Sequence, residues 1–204
     1  AVISLFIDLK CFANFLPHCP FIAQVLVNFL DVPQGLDLMY PIYFVHIPKT
    51  AGTSFRLGVE QSLGRDAIAY NYGPASSETS DLVKNLVHGD EGDLWSFYRA
   101  CIDLGIRFVG GHVGIGAFVS GFQVMHTVTF VRDPLQRIVS EYKHFVRHLE
   151  YKGDFREFYS KPVMQNRQSN LLKAVPLHSI GLIGISEHYE KSLKLINDKF
   201  GLSI

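Results

Sequence analysis

Short apolar runs rich in β-branched and aromatic residues alternate along the chain with longer segments of helical periodicity. The runs predict β-strands near 42–46, 107–112, 128–132 and 182–185. The periodic segments predict α-helices near 53–63, 94–104, 134–150 and 187–200. Because each predicted strand is followed by a helix, we expect an α/β fold with a mainly parallel central sheet flanked by helices.

The first forty residues follow a different pattern. Two apolar pieces, Ala1–Ile7 and Phe21–Leu30, are separated by charged and proline residues, so neither is long enough to span a bilayer. They also lack the basic flank and small-residue cleavage site of a signal peptide. We therefore predict an N-terminal helical appendage over residues 1–40, packed on the domain or on a second subunit, and one folded domain over 41–204. A homodimer is one arrangement that would cover the appendage.

The segment Tyr43–Phe55 takes an apolar strand into a short polar loop and then into a helix. A helix N-terminus offers unpaired backbone N–H groups and a partial positive charge, which together bind anions. A glycine in the loop lets the backbone approach a ligand, and a lysine adds a full positive charge. The expected guest is a phosphate or sulfate ester, and the candidate contacts are Lys49, Thr50, Ala51, Gly52, Thr53 and Ser54.

The order of residues in this loop differs from that of a common nucleotide-binding loop. The Walker A motif places its lysine directly after its second glycine. Here Lys49 precedes Gly52, and no glycine lies just upstream. An ordinary ATP or GTP loop is therefore disfavoured, although strand, loop and helix still predict a P-loop-like three-layer fold. The alternative is a structural Pro-Lys turn followed by a Thr/Ser helix cap.

A second polar cluster follows another predicted strand, within His126–Tyr142. Asp133 and the proline after it signal the start of a helix, so Arg132 stands at the end of the strand. Ser140 lies on the helix with Arg137 one turn before it, and all three side chains could converge on a second phosphate. For Arg137 the alternative is an ordinary surface ion pair with a glutamate four residues on.

The two motifs together resemble a known family. Pro-Lys-Thr-Ala-Gly-Thr-Ser, followed about 80 residues later by Arg-Asp-Pro-x-x-Arg-x-x-Ser-x-Tyr, resembles the sulfotransferases that use 3′-phosphoadenosine 5′-phosphosulfate (PAPS). The likeness is to the carbohydrate branch, which contains the heparan and chondroitin sulfate enzymes and many bacterial relatives, and it extends from about Tyr43 to Leu202. It implies that residues 49–54 hold the 5′-phosphosulfate and that Arg132 and Ser140 hold the 3′-phosphate.

The chemistry of sulfuryl transfer agrees with this resemblance. A donor with phosphates at both ends of an adenosine needs two separate cationic pockets, and the two motifs supply them. Sulfuryl transfer, like phosphoryl transfer, has a loose in-line transition state in which charge develops on the leaving oxygen. We expect Lys49 to act in catalysis by neutralising the departing phosphate.

An acceptor hydroxyl is a weak nucleophile at neutral pH, so a general base is expected, and histidine is suited to that role. Our candidate is His112, which a short apolar strand delivers into a glycine-rich turn. Several members of the resembled family place a catalytic histidine in a Gly-His segment between the two phosphate motifs. The alternative for His112 is a structural turn residue. His46 is interpreted as a packing residue, and Glu60 and Glu78 are weaker candidates for the base.

Downstream, Gln165–Leu172 resembles the Asn-x-Gln-Thr stretch of the family, and Gly181–Glu187 resembles its last core strand and the turn that often lies near the adenine. A serine at position 169 replaces the common threonine. The alternative for the first segment is a helix with a polar face.

Composition narrows the function classes further. Nineteen basic and nineteen acidic side chains cancel, so no nucleic-acid partner is expected. Three dispersed cysteines argue against a zinc site, and no metal is predicted. The sequence contains no Asn-x-Ser/Thr glycosylation acceptor, which favours a bacterial cytoplasmic protein over one of the Golgi lumen.

The sequence thus predicts a PAPS-dependent sulfotransferase that acts on a hydroxyl, with a carbohydrate as the expected acceptor and His112 as base. The first alternative is a P-loop nucleotide kinase, for which Asp133 is the obvious carboxylate to hold Mg²⁺. The second is a non-catalytic relative that binds a nucleotide or glycan.

Overall fold

A computed structural model of the protein describes residues 40–90 and 92–204. Apart from Tyr40, the predicted appendage over residues 1–40 lies outside the described residues. In the two described ranges, no helix combines the length and the apolar character that crossing a membrane requires.

A five-stranded parallel sheet forms the centre of the described domain. Its strands are β1 Ile42–Val45, β2 Ile68–Asn71, β3 Phe108–Gly111, β4 Thr127–Val131 and β5 Leu182–Ile185. They lie side by side in the order β2-β3-β1-β4-β5. The predicted α/β class with a mainly parallel sheet flanked by helices is confirmed. β2, a fully buried four-residue strand at one edge of the sheet, was not predicted from the sequence.

Helices follow the strands as the periodicity indicated. The α-helices of the described ranges are α1 Gly52–Leu63, α2 Asp81–Leu86, α3 Leu94–Asp103, α4 Pro134–His148, α5 Phe155–Ser160, α6 Arg167–Leu172 and α7 Tyr189–Phe200. The four predicted helices correspond to α1, α3, α4 and α7, with ends that differ by no more than two residues.

Side chains of the strands alternate between the two faces of the sheet and so build two cores. On one face, Tyr43 and Val45 pack with buried residues of α3 such as Phe97. On the other face, Phe44 packs with residues of α1 and α7, among them Phe55. The sheet is therefore covered on both sides, which accounts for the continuous burial of β1.

The topology brings three loops together. β1 lies between β3 and β4, and all three strands run in the same direction. The residues after their carboxyl ends therefore meet at one edge of the sheet, where ligands of such sheets bind. Lys49 follows β1, His112 follows β3, and Arg132 follows β4.

Candidate functional site

A cavity of about 530 Å³ opens among these three loops, and we call it the main cavity because it contains most of the predicted site residues. Its lining residues are Pro48, Lys49, Ala51, Gly52, Thr53, Ser54, His112, Arg132, Ser140, Glu141, His144, Phe145 and Arg167. Of the contacts that the family resemblance implies for the two phosphates, Thr50 is absent from this lining, and the preferred base His112 is present. Arg137 and the weaker base candidates Glu60 and Glu78 are also absent from it. The structure thus brings the two predicted phosphate motifs and His112 into one cavity.

The loop between β1 and α1 has an unusual backbone. Lys49 and Ala51 have φ values of 69° and 66°, in the left-handed region that residues with a Cβ rarely occupy. Thr50, between them, is fully buried, and its hydroxyl donates a hydrogen bond of 2.8 Å to the carbonyl of Ile47. The Thr50 side chain therefore supports the turn from beneath, whereas the sequence analysis had placed it among the ligand contacts.

Within the described residues, no side chain caps the N-terminus of α1. Ala51 at the cap position makes no side-chain hydrogen bond to the helix, and the first turn contains no acidic residue. The first N–H groups of a helix have no partner within it. Because Gly52, Thr53 and Ser54 line the cavity beside Lys49, the end of α1 combines free donors with a positive charge.

Gly52 has a structural role as well. A Cβ at this position would lie 2.2 Å from Cδ2 of His46, a distance that no real side chain tolerates. The sequence predicts that this glycine allows a ligand to approach the backbone closely. The structure adds a second reason for glycine, because the helix has to begin against the buried imidazole ring of His46.

His112 is held in one orientation by the loop beside it. Its Nδ1 donates a hydrogen bond of 2.7 Å to the carbonyl oxygen of His46, which can only accept. In the neutral ring, Nε2 therefore carries the free lone pair. The ring packs against His46 and Tyr72, with centroid distances of 4.3 and 4.9 Å.

The environment also favours the neutral form of His112. Desolvation by the surrounding protein lowers the pKa of His112 below its ordinary value, although part of the residue is exposed to solvent. At neutral pH the imidazole is therefore unprotonated and has the tautomer that a general base requires.

The competing candidates for the base lie outside the cavity lining. His46 is buried, and its Nδ1 lies 3.2 Å from the hydroxyl of Tyr72. Glu78 accepts a hydrogen bond of 2.8 Å from Arg56, and Glu60 accepts one of 2.7 Å from Tyr70. These contacts give all three residues structural roles, which agrees with the interpretation of His46 as a packing residue.

Arg132 is positioned by a side chain from α6. The Oε1 of Gln168 accepts a hydrogen bond of 2.9 Å from the Arg132 backbone N–H, and its Nε2 donates one of 2.8 Å to the Arg132 carbonyl. The guanidinium donates to the Lys49 carbonyl at 3.4 Å and to Gln136 at 3.3 Å. Gln168 belongs to the segment that resembles the Asn-x-Gln-Thr stretch, and it joins that segment to the second motif.

Arg137 takes part in an ion pair that differs from both predictions for it. It is buried, it does not line the main cavity, and its Nη1 donates to Oε2 of Glu141. Glu141 is the glutamate four residues on that the sequence suggested as its partner, but the pair is buried and not on the surface. Arg167 donates to the other carboxylate oxygen of Glu141 at 2.6 Å.

A second cavity of about 390 Å³ adjoins the first along α4. Its lining residues are Lys49, Arg132, Gln136, Val139, Ser140, Lys143, His144, Arg147 and His148. Four are full cations and none of the described lining residues is acidic, so this cavity also favours anions. Positions 136, 140, 143 and 147 repeat at helical spacing, a signal that was present in the sequence.

Three polar residues of the main cavity were not predicted from the sequence: Glu141 as a lining residue, His144 and Arg167. His144 lies one helical turn after Ser140, so the spacing of residues in the sequence could have identified it as a neighbour of the predicted site. Arg167 lies 26 residues from Glu141, and only the tertiary structure brings it to the cavity.

Comparisons with known proteins find only distant structural similarity. No protein family model matches the chain, and no curated protein sequence does. The chain is similar in structure to a sulfotransferase from Alicyclobacillus acidocaldarius, with 18% identity over 80% of this chain and 81% of the other and a TM-score of 0.47. It is also similar to mouse sulfotransferase SULT7A1, solved as a complex with PAP, with 15% identity over 81% of this chain and a TM-score of 0.48. It spans 59% of that mouse chain. At these low scores, function has to be inferred from the chain's own site residues.

Proposed function

We propose that this protein is a PAPS-dependent sulfotransferase that transfers a sulfuryl group to a hydroxyl, with a carbohydrate as acceptor. The observation that carries the proposal is the meeting of two anion-binding motifs and an oriented neutral histidine in one cavity. The loop before α1 supplies Lys49, and the start of α1 supplies N–H groups; the segment from the end of β4 into α4 supplies Arg132 and Ser140. A donor with a phosphate at each end of a nucleoside fits such a paired arrangement.

The residues present suit the reaction. The acceptor oxygen would form a bond to sulfur while the bond between sulfur and the bridging phosphate oxygen breaks. His112 Nε2 would take the proton of the acceptor hydroxyl, and Lys49 would neutralise the charge on the departing phosphate. His112 is partly exposed, which allows a bulky acceptor such as a sugar to approach it.

The kinase alternative receives less support from the residues. Asp133, the predicted holder of Mg²⁺, accepts a hydrogen bond of 2.8 Å from the backbone N–H of Gln136 and does not line the main cavity. Among the described lining residues the carboxylate is Glu141, which already binds two arginines. A phosphoryl-transfer site usually presents an available carboxylate to its metal ion.

Donor selection is tested by thermal shift. We expect 3′-phosphoadenosine 5′-phosphate to raise the melting temperature at concentrations at which ADP, or ATP with Mg²⁺, has little effect, because only the former carries a 3′-phosphate for Arg132 and Ser140. A larger shift with ATP and Mg²⁺ would overturn the proposal in favour of a kinase. A screen of glycans with PAPS carrying labelled sulfate would then identify the acceptor.

The role of His112 is tested by His112→Ala. We expect transfer to fall by about 10²–10⁴, the usual contribution of a general base, with the affinity for 3′-phosphoadenosine 5′-phosphate nearly unchanged. His178→Ala, at an exposed position outside the cavity, is the matched control. Retained turnover would assign the base role to another group. Normal nucleotide binding by the unmodified protein, with no transfer to any acceptor, would instead indicate a non-catalytic relative.

A further inference from the structure

Arg167 belongs to a buried group of charges that is not neutral. Glu141 is the shared carboxylate, and Arg137 and Arg167 each donate to one of its oxygens. Two guanidinium groups and one carboxylate leave a net positive charge, because arginine stays protonated in proteins. Burying an uncompensated charge is costly, so the excess positive charge is expected to face an anion or solvent.

The two arginines differ in where they lie. The side chain of Arg137 is 4% exposed and that of Glu141 is 3% exposed, whereas the Arg167 side chain is 26% exposed and lines the main cavity. Desolvation is the main cause of the lowered pKa of His112, and the positive charge of Arg167 lowers this pKa further. Of the two arginines, Arg167 is therefore the one that brings positive charge to the side of the proposed base.

Arg167 has N–H donors that make no hydrogen bond within the described residues. Its hydrogen bonds within the described residues, to Glu141 at 2.6 Å and to the sulfur of Met164 at 3.8 Å, both come from Nη1. Its Nε and Nη2 have no hydrogen-bond partner within residues 40–90 and 92–204. A guanidinium anchored through one nitrogen and free at the others can bind the oxygens of a tetrahedral anion.

The other cations of the cavity already have expected ligands. Lys49 and Arg132, assigned to the two phosphates, line both the main and the second cavity. Arg167 lines the main cavity but not the second, and it also lines a further cavity of about 590 Å³ together with Arg137. The sulfuryl group has to pass from the phosphate at the α1 N-terminus to a hydroxyl beside His112. We propose, on the basis of the function proposed above, that Arg167 binds the oxygens of the transferred sulfuryl group and holds it for in-line attack.

A pair of variants separates this role from a structural one. Arg167→Met and Arg137→Met each remove one guanidinium from Glu141 and leave the other in place, but only Arg167→Met removes a cation from the main cavity. The probes are PAPS and 3′-phosphoadenosine 5′-phosphate, which share both phosphates and differ in the sulfuryl group. Their dissociation constants are measured on the full chain without acceptor, and thermal melting checks that each variant is folded.

We expect Arg167→Met to weaken PAPS binding by about 10- to 100-fold, as for a lost charge-assisted hydrogen bond. Binding of 3′-phosphoadenosine 5′-phosphate should change by less than about 3-fold, since that product lacks the sulfuryl group. Arg137→Met should leave the ratio of the two affinities unchanged, even if it lowers the melting temperature more. Arg167→Lys should recover part of the lost PAPS affinity.

The alternative outcomes are distinct. If the unmodified protein binds neither nucleotide, the proposed function fails. If it binds both and Arg167→Met lowers both affinities equally, Arg167 contacts a phosphate and the inference is wrong. An unchanged ratio in Arg167→Met, or an equal change of the ratio in Arg137→Met, would likewise overturn it, because the group would then act only through the stability of the fold.

Discussion

The N-termini of α1 and α4 differ although both helices follow neighbouring parallel strands, β1 and β4. α4 begins with Pro134, and the carboxylate of Asp133 accepts a hydrogen bond from the N–H of Gln136. α1 begins after Ala51, which has a left-handed backbone and makes no capping bond. The N-terminus of α4 is capped by its own aspartate, and we call it the closed end. The N-terminus of α1 has no side-chain cap within the described residues, and we call it the open end.

The surroundings of the two termini differ in the same sense. Lys49 stands beside the open end of α1, and its ammonium forms no ion pair within the described residues. At α4 the cation, Arg132, is tied by Gln168 through its backbone, while Ser140 lies further along the helix. Under the proposed function, α1 would bind an anion with its terminus, whereas α4 would bind one with side chains on its flank.

Removing the cation from the open end is expected to have the largest effect. Lys49→Met should lower sulfuryl transfer by about 10²–10³, because the charge on the departing phosphate would lose its main counter-charge. Turnover at saturating donor is the measurement. Lys84→Met, which removes a lysine from an ion pair with Asp81 on α2, is the control. Turnover of Lys49→Met within a few-fold of the unmodified protein would show that the two helix ends do not differ in function.

The open end can also be made to resemble the closed one. Ala51→Asp places a carboxylate beside the free donors of α1, and aspartate tolerates a left-handed backbone better than alanine does. We expect affinity for 3′-phosphoadenosine 5′-phosphate, measured by calorimetry, to fall by roughly 10- to 100-fold through charge repulsion. Ala51→Asn keeps the shape without the charge and should bind almost normally. Equal losses in the two variants would contradict an electrostatic cause.

His46, which packs against the open end of α1, predicts a response of the fold to acid. Burial, followed by the charges of His112, Arg56 and Lys49, lowers the pKa of His46 to about 3. As pH falls below about 6.5, the unfolded chain binds a proton that folded His46 does not, so stability is lost with acidification. Between pH 7 and pH 5 this residue should contribute a loss of about 2 kcal/mol.

His46→Gln, compared with the unmodified protein by urea unfolding at both pH values, isolates this contribution. The variant should lose less stability on acidification, because glutamine does not titrate. A pH dependence that is the same in both proteins would show that His46 binds its proton equally in the folded and unfolded states.

Removing the cap of the closed end is expected to have the smallest effect. Asp133→Ala should lower the free energy of unfolding by about 1 kcal/mol, since one N–H group of α4 loses its acceptor. Nucleotide affinity should change by less than about 2-fold. Asp154→Ala removes the corresponding cap of α5, where Asp154 accepts from the N–H of Glu157 at 2.8 Å, and gives the reference for a purely structural loss. A loss of nucleotide binding in Asp133→Ala with unchanged stability would contradict the comparison.

Elements with a strong local pattern could be predicted from the sequence. β1 and β4 are apolar runs that end in turn signals, and α4 has an Asp-Pro start, so their bounds were predicted closely. β2 was missed because its short apolar run ends in the polar Asn71, and its position in the sheet comes from pairing with β3. A short edge strand of this kind is stabilised by its neighbour more than by its own periodicity.

The candidate site was predictable to a similar degree. Lys49, His112 and Arg132 each stand just after an apolar run, so their positions at the strand ends followed from local pattern. The burial of Arg137 did not follow, because an i,i+4 pair with Glu141 looks the same in the sequence whether it faces water or the core. Burial and the contribution of Arg167 depend on how α4 and α6 pack.

Neighbouring residues in the sequence determined the strand-loop-helix units and the charged residues that follow each strand, because these features depend on positions only a few residues apart. Only the tertiary structure decided which loops meet. The order β3-β1-β4 places three strand ends side by side, and the packing of α6 against them adds Gln168 and Arg167. Contacts between residues far apart in sequence depend on the packing of the whole domain, which no local segment encodes.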